Sequence, residues 1–493
     1  MIWDILRNAA NKWGERVAVY CDGVSITYGA LLKSSEIISH SLKEKAFCRK
    51  CNQMLIFDNS IQFVKTFFAL NKYGAIIVPV YFNTPQKKIM ELAKFYDIQY
   101  IITKKEKIED WDLSLIASCT ALTGIVSMKN DTLFYEYQRI SDRYCIEQKE
   151  DDLAMILLSS GTTGEQKGIM LSNRNIESNV DSISEYLGLY KEDRVLLIKS
   201  LNHISSIVGE MLVSIYNGCT LYMSTKVVTP SLIFSLIEQN KITVLFVVPT
   251  LLSMMTFYLS NQKFDIESLR IMNFYGAPAS ENLLEKVAEK FDKVNLIYSY
   301  GQTEASPRIT YIERNDLLTR KKSCGKAIRN VEVFIEGNPE PFSIGEVLVK
   351  GPNVMLGIYK NHDQTENILK GGYLHTRDLG YMDKEGYLYI VGRMDNMIIQ
   401  AGKNIYPEEI EKILTSCEGV SEALVKSKTD ELIGQKIVAY IVMNNQSCSL
   451  KAVWTHLRNN LEDYKIPREI NIVNHLEKTD SGKIIREGFI YEH

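Results

Sequence analysis

Short apolar runs alternate with segments of helical period along much of this chain, and that alternation is what most limits its fold. MLIF is followed by a helical stretch over Ile61–Lys72, AIIVPV by Gln86–Phe95, and IQYIIT closes the unit. Strand-length runs separated by one helix each need crossover connections, so the strands are expected to run parallel with helices covering them. The rhythm returns as CTLYM, Ser231–Gln239, ITVLFVV, Leu251–Leu259, LRIMNFY, Asn282–Phe291 and VNLIYSY. Two similar α/β layers are therefore expected. Between Val331 and Val391 the texture changes to short glycine-punctuated strands, VEVFIEG, GEVLVKG, YLHTRDLG and GYLYIVG, which read as a small β-rich subdomain. After Asp395 a helix (PEEIEKIL), two strands (SEALVKS, KIVAYIVM) and a second helix (LKAVWTHLRNNL) form a compact α+β unit. The expected division is an N-terminal domain over 1–394 and a C-terminal domain over 395–493. No Pro/Gly/Ser-rich linker separates them, so the joint at Met394–Asn396 reads as a short hinge.

The 493 residues exceed what one hydrophobic core usually serves. With 57 Lys and Arg against 60 Asp and Glu, no global field draws the chain to nucleic acid or to an anionic membrane. No run approaches the ~18 apolar residues of a membrane span. The first residues, MIWDILRNAANKWGER, form an amphipathic helix with Asp4 and Glu15 and no continuous apolar stretch of a signal peptide. Nine cysteines at irregular spacing fit free thiols in a reducing cytoplasm. Cys48 and Cys51 read as two thiols in a surface turn.

The stretch LLSSGTTGEQKGIMLSNRN carries the strongest chemical signal. A strand over Ala154–Leu158 runs into Ser160, Gly161, Thr162, Thr163, Gly164 and Lys167, and a second apolar run follows at Ile169–Leu171. Glycines let successive N–H groups converge on an anion, hydroxyls add donors and Lys167 adds charge, a composition suited to a polyphosphate. The same composition also suits a flexible polar turn. It is not the P-loop, which needs Gly where Gln166 stands and Ser or Thr where Gly168 stands.

Further along, Tyr300-Gly301-Gln302-Thr303-Glu304 follows a strand, where α/β sheets place ligands. Glu304 offers a hard oxygen ligand for Mg²⁺ and Tyr300 a stacking face. Asp378, in Tyr373–Gly380, can accept bonds from two ribose hydroxyls. Arg393, at the domain boundary, can grip ribose or phosphate with two donors. Lys483, in Thr479-Asp480-Ser481-Gly482-Lys483, reads by itself as a solvated charge, and His203 equally well as a hydrogen-bonded core histidine.

Taken together these segments resemble the adenylate-forming superfamily, which includes acyl-CoA synthetases, firefly-type luciferases and peptide-synthetase adenylation domains. The phosphate loop matches with Gln166 in place of proline; YGQTE, YLHTRDLG, GRMDN, the stretch around Gly402 (GKNIYPEEIE) and the terminal Gly-Lys motif with Arg486 follow in family order. Arg377 stands where the family has glycine, which leaves the local backbone open. The resemblance implies that the loop from Ser160 to Lys167 holds the β- and γ-phosphates of ATP and that Tyr300, Gly276 and Ala277 line the adenine. It implies that Thr303 contacts the α-phosphate, Glu304 binds Mg²⁺, and Asp378 and Arg393 fix the nucleoside. Lys483 would reach the reacting carboxylate, His203 would lie by the acid, and Asp395 would be the hinge of a mobile C-terminal domain that brings Gly402 to the thiol. Within the family the chain is most similar to free-standing acyl-CoA or aryl-CoA ligases. Tyr275, where many long-chain enzymes have a small residue, points to a small or medium carboxylic acid. The acceptor implied is CoA, or else the phosphopantetheine of a separate carrier protein. A non-catalytic nucleotide-binding homologue is disfavoured because Glu304, Asp378 and Lys483 are all present.

Overall fold

Parallel strands form where the apolar runs are, and they sort into two sheets. The computed structural model of the chain describes residues 1–45, 47–129, 131–138, 152–160, 166–277, 279–337, 340–400, 403–430, 434–444, 449–478 and 484–486. In the first sheet the parallel strands Asn52–Ile56, Ile76–Pro79, Tyr100–Thr103 and Gly124–Lys129 carry the expected βαβαβ unit, with helices Ile61–Tyr73 and Gln86–Phe95 between them. Every residue of Asn52–Ile56 and Ile76–Pro79 is buried, as parallel strands covered on both faces must be. The second sheet is built on parallel Arg194–Leu197, Thr220–Met223, Val244–Val247, Ile271–Tyr275 and Asn295–Tyr300. The two layers echo one another in architecture.

Antiparallel strands finish each sheet at its edges. The hairpin Leu153–Ser160 with Gln166–Ser172 extends the first, through the parallel pairing of Ile77 with Met155. Val17–Cys21 and Val24–Thr27 extend the second, as Thr310–Glu313 does on its other side. The amphipathic N-terminal helix, Ile2–Trp13, buries Ile2, Trp3, Ile5, Leu6, Ala9 and Ala10, one face of a 3.6-residue period. Helix Tyr28–Glu44 starts at Thr27, whose hydroxyl accepts the Ala30 N–H, and Tyr28 is fully buried with its own hydroxyl donating to the Cys219 carbonyl at 2.6 Å.

A small antiparallel sheet follows, with Glu332–Ile335, Gly345–Lys350, Tyr373–Met382 and Leu388–Arg393 as its main strands. The C-terminal unit pairs Val420–Asp430 with Gly434–Met443 and adds Glu469–Ile472 in parallel, with helices Pro407–Ser416 and Leu450–Asn460. Its own core, from Ile398 to Leu461, is separate from the two clusters of the larger part. Cys48 and Cys51 depart from expectation: both are buried, Cys51 because it leads directly into the fully buried strand Asn52–Ile56, and Cys48 is disulfide-bonded whereas Cys51 is a free thiol. Among the described residues no helix is long and apolar enough to cross a membrane.

Candidate active site

Three sequence-predicted residues meet at the carboxyl end of the second sheet. The strand Asn295–Tyr300 delivers Tyr300, and the antiparallel pairing of Tyr373–Met382 with Leu388–Arg393 sets Asp378 directly opposite Arg393. The Tyr300 hydroxyl donates to Asp378 Oδ2 at 2.5 Å, and Arg393 Nη1 lies 3.1 Å from Asp378 Oδ1. The Asp378 N–H donates to the Thr376 hydroxyl at 3.1 Å, which in turn donates to the Val347 carbonyl at 2.7 Å, so the backbone that carries the carboxylate is held in place. Burial, and then the Asp378 charge, pushes the Tyr300 phenol well above its ordinary value, keeping it a neutral donor. Burial works against the Arg393 charge, but Asp378, Asp395, Tyr300 and Glu304 outweigh it and raise its pKa.

Glu304 and Thr303 stand in the short turn Thr303–Ala305 just past Tyr300, both half-buried. The turn is fixed by the Met355 N–H, which donates to the Glu304 carbonyl at 2.9 Å. Gly301 is required by close approach: a β-carbon there would lie 1.9 Å from the Pro307 carbonyl oxygen. One carboxylate beside one hydroxyl fits Mg²⁺, which takes a protein carboxylate or two and fills its octahedron with phosphate and water.

The predicted phosphate loop falls between the paired strands Leu153–Ser160 and Gln166–Ser172, in which Ser159 pairs with Lys167 and Ser160 with Gln166. Gly161, Thr162, Thr163 and Gly164 lie outside the described residues, as do Gly402 and Lys483, and only the backbone of Ser160 is described. Gly168 has a different duty from the loop glycines. A β-carbon there would meet Tyr96 Cε1 at 2.4 Å and Ile156 Cγ2 at 2.9 Å, so it is a packing glycine.

His203 caps the helical segment that continues through the π-turn Ile207–Leu212; its carbonyl accepts the Ser206 and Ile207 N–H groups, and the residue is half-buried. Gly276 takes φ +91° and is exposed, and Ala277 beside it is half-buried. Tyr275 just before them is buried, and its hydroxyl donates to the fully buried Glu210. The Arg308 guanidinium lies 4.0 Å from the Tyr275 ring centre and Lys199 Nζ 5.3 Å from it. Glu210, Arg308 and Lys199 escape a sequence reading. The available signal is a lone acid inside the apolar run IVGEMLVSIY, with partners far away along the chain.

At the domain joint, Arg377 takes φ +63°, the left-handed conformation that a glycine would adopt freely. Its N–H donates to Glu346 Oε1 at 2.8 Å, and its Nη2 and Nε reach Asp395 Oδ1 at 2.6 and 3.2 Å. Asn396 donates to Glu408 Oε1 at 2.6 Å, and Arg486 pairs with Glu411 at 2.5 Å, which ties the chain's end to helix Pro407–Ser416.

The AMP-binding enzyme family model matches residues 6–359, and that of the AMP-binding enzyme C-terminal domain matches residues 409–483. The chain belongs to the AMP-binding enzyme family. The 2-succinylbenzoate–CoA ligase of Oceanobacillus iheyensis is 30% identical over 472 residues, 94% of each chain. The indoleacetate–CoA ligase of Aromatoleum aromaticum is 27% identical over 476 residues, 94% of this chain and 92% of that one. The solved O-succinylbenzoate coenzyme A synthetase of Bacillus subtilis, in complex with ATP and magnesium ion, matches with TM-score 0.85 at 25% identity, covering 98% of both chains. As a member of this family, the chain is an ATP-dependent acid–thiol ligase that joins a carboxylate to AMP, releases pyrophosphate and then forms a thioester.

Proposed function

We propose that this ligase activates a small or medium carboxylic acid and transfers the acyl group to CoA in the cytoplasm. The observation that carries the site assignment is the meeting of Tyr300, Asp378 and Arg393 beside Glu304. A carboxylate is a poor acyl donor because its leaving group would be oxide; in the acyl-adenylate the leaving group is instead the phosphate of AMP. Attack of one anion on another gathers negative charge, and the site must supply donors and cations where that charge develops.

Asp378 accepts the two ribose hydroxyls with the lone pairs that Tyr300 and Arg393 leave open. Tyr300 offers its ring to adenine, with Gly276 and Ala277 alongside, and Arg393 holds the nucleoside from the other side of Asp378. The loop from Ser160 through Gly161, Thr162, Thr163 and Gly164 to Lys167 cradles the β- and γ-phosphates. Thr303 donates to the α-phosphate. Glu304 holds Mg²⁺, which when bound offsets phosphate charge. Lys483 neutralises the reacting carboxylate and α-phosphate, and His203 lines the acid. The domain boundary at 394/395 then serves a turn about Asp395 that exchanges Lys483 for the Gly402 segment before thiol attack. CoA as the acceptor is supported by the names of the relatives, which are CoA ligases across nearly their whole length. Their acids differ, one being 2-succinylbenzoate and another indoleacetate, so the acid is argued from this chain's own residues.

Pyrophosphate release, measured over aryl, short, medium and long acids, tests the reading. The products with CoA and with a phosphopantetheinylated carrier protein are then resolved by mass spectrometry. The expected result is release driven by one class of small or medium acid, with acyl-CoA as product. Silence across the panel overturns the site assignment, and an acylated carrier without acyl-CoA overturns the choice of acceptor.

A further inference from the structure

Two carboxylates flank the Arg393 guanidinium: Asp378, which the reading above gives to the ribose, and Asp395, which has no part in nucleotide binding. Arg393 Nη1 lies 3.1 Å from Asp378 Oδ1, and its Nη2 lies 3.7 Å from Asp395 Oδ2. The first distance is that of a hydrogen-bonded ion pair, and the second is a charge contact only. Arg393 Nε is buried without a hydrogen-bond partner, so the guanidinium still has a donor to give.

Asp395 is occupied by a different cation. Arg377 Nη2 and Nε both donate to its Oδ1, at 2.6 and 3.2 Å. The backbone is distorted to place that side chain. Glu346 pairs with Leu379 but Leu348 pairs with His375, so Thr376, Arg377 and Asp378 together lie opposite Val347 alone. Bulges of this kind re-aim side chains, often beside active sites. Within the bulge Arg377 takes φ +63°, which its β-carbon opposes. Such strain persists only where the surroundings enforce it, and it gathers at functional sites. Here the enforcement comes from the buried Glu346: its Oε1 accepts the Arg377 N–H, and its Oε2 shares a hydrogen bond with His375 Nδ1, both at 2.8 Å.

We propose that Arg377 is a positioning residue for the nucleotide: by holding Asp395 it leaves Arg393 to Asp378 and the nucleoside. The inference rests on the nucleotide site assigned above and adds a residue that acts on it through Asp395. With all four side chains present, two guanidiniums serve two carboxylates. Without Arg377, one guanidinium faces both, and the freed Asp395 draws Arg393 away from Asp378. Arg377 and Asp395 are both partly exposed, so solvent screens the pull and the effect is modest.

The test is calorimetric binding of AMP to the full chain in a double-mutant cycle. Arg377→Gly is the informative single variant: glycine adopts a positive φ freely, so a weakened site cannot be put down to a strained backbone. It should weaken AMP roughly two- to five-fold, the range of partly exposed ion pairs. Arg377→Lys, which keeps the charge, should retain part of the affinity. Asp395→Asn alone should not weaken AMP. In the Arg377→Gly/Asp395→Asn chain the competing charge is gone, and the affinity should return to that of wild type. An Arg377 that merely supported the fold would show no such return. Wild-type affinity in Arg377→Gly, a double variant as weak as Arg377→Gly, or AMP weakened by Asp395→Asn alone would overturn the proposal. AMP that failed to bind even the wild-type chain would overturn the nucleotide site and this proposal with it, so the two failures are told apart.

Discussion

Arg377 holds a backbone conformation that its own β-carbon opposes. The left-handed region costs a non-glycine residue about 1–2 kcal/mol, whereas its ion pair with Asp395, at 47% and 26% side-chain exposure, belongs to a class worth about 0.2–1 kcal/mol. Arg377→Gly relieves the strain and loses the pair; Arg377→Ala loses the pair and keeps the strain. After allowing for glycine's freedom in the unfolded chain, the Gly variant should be the more stable by about 0.5–1 kcal/mol in urea unfolding, and equal midpoints would contradict this. Glu210 gives a pH signature. Its folded carboxyl, pushed up by burial to about 7 from 4.5, takes a proton more readily than in the unfolded chain. Its contribution is therefore complete below about pH 4.5 and is lost as pH rises through 7. Glu210→Gln, still facing Tyr275, Lys199 and Arg308, cannot titrate. Between pH 5 and 7.5 the wild-type chain should lose stability relative to this variant, and parallel urea midpoints would count against it. At this scale the meeting of Tyr300, Asp378 and Arg393, which we propose hold the nucleotide, was legible because each sits in a short motif. Glu210 and Arg308 were not, because a lone charge inside an apolar run has no period and its partner is set by tertiary packing.

The strands and helices show what local pattern can specify. Gln86–Phe95 forms as read, and parallel strands such as Ile76–Pro79, Val244–Val247 and Ile271–Tyr275 fall within their apolar runs, because burial on both faces makes those runs continuous, whereas Asn52–Ile56 begins two residues before MLIF and the strands Gly124–Lys129 and Arg194–Leu197 were not read. The edge hairpin Val17–Thr27 and the helix Tyr28–Glu44 were not anticipated: the hairpin's first strand pairs with Thr220–Met223, a partner fixed only by the finished sheet. Two glycines also belong to this scale, since each lets one element approach another. Gly168→Ala would press on the Tyr96 and Ile156 side chains, which can shift, and should cost about 1–3 kcal/mol. Gly301→Ala would press on backbone, the Pro307 carbonyl, which cannot rotate away, and should cost at least about 3 kcal/mol or prevent folding. Denaturant midpoints near wild type for Gly301→Ala would contradict the close approach.

For the whole molecule, the two-layer body, the small sheet and the separately cored C-terminal unit were readable from changes of texture along the chain. The contact that joins two of them was not, since Arg377 with Asp395 depends on how the bodies meet. The division of labour proposed for Lys483 is a property of this scale, because the proposed role works between the two domains. Lys483→Ala should slow acyl-adenylate formation by roughly 10²–10³-fold in single-turnover experiments. Thioester formation from preformed acyl-adenylate should change far less, and equal losses in both half-reactions would reject the assignment. The central claim is that the acid's own oxygen attacks the α-phosphorus of ATP. The most direct measurement supplies a substrate labelled with ¹⁸O in its carboxylate and follows the label by mass spectrometry through one turnover with CoA. The account predicts one ¹⁸O in the released AMP and none in pyrophosphate. Unlabelled AMP, or label found in pyrophosphate, would contradict it.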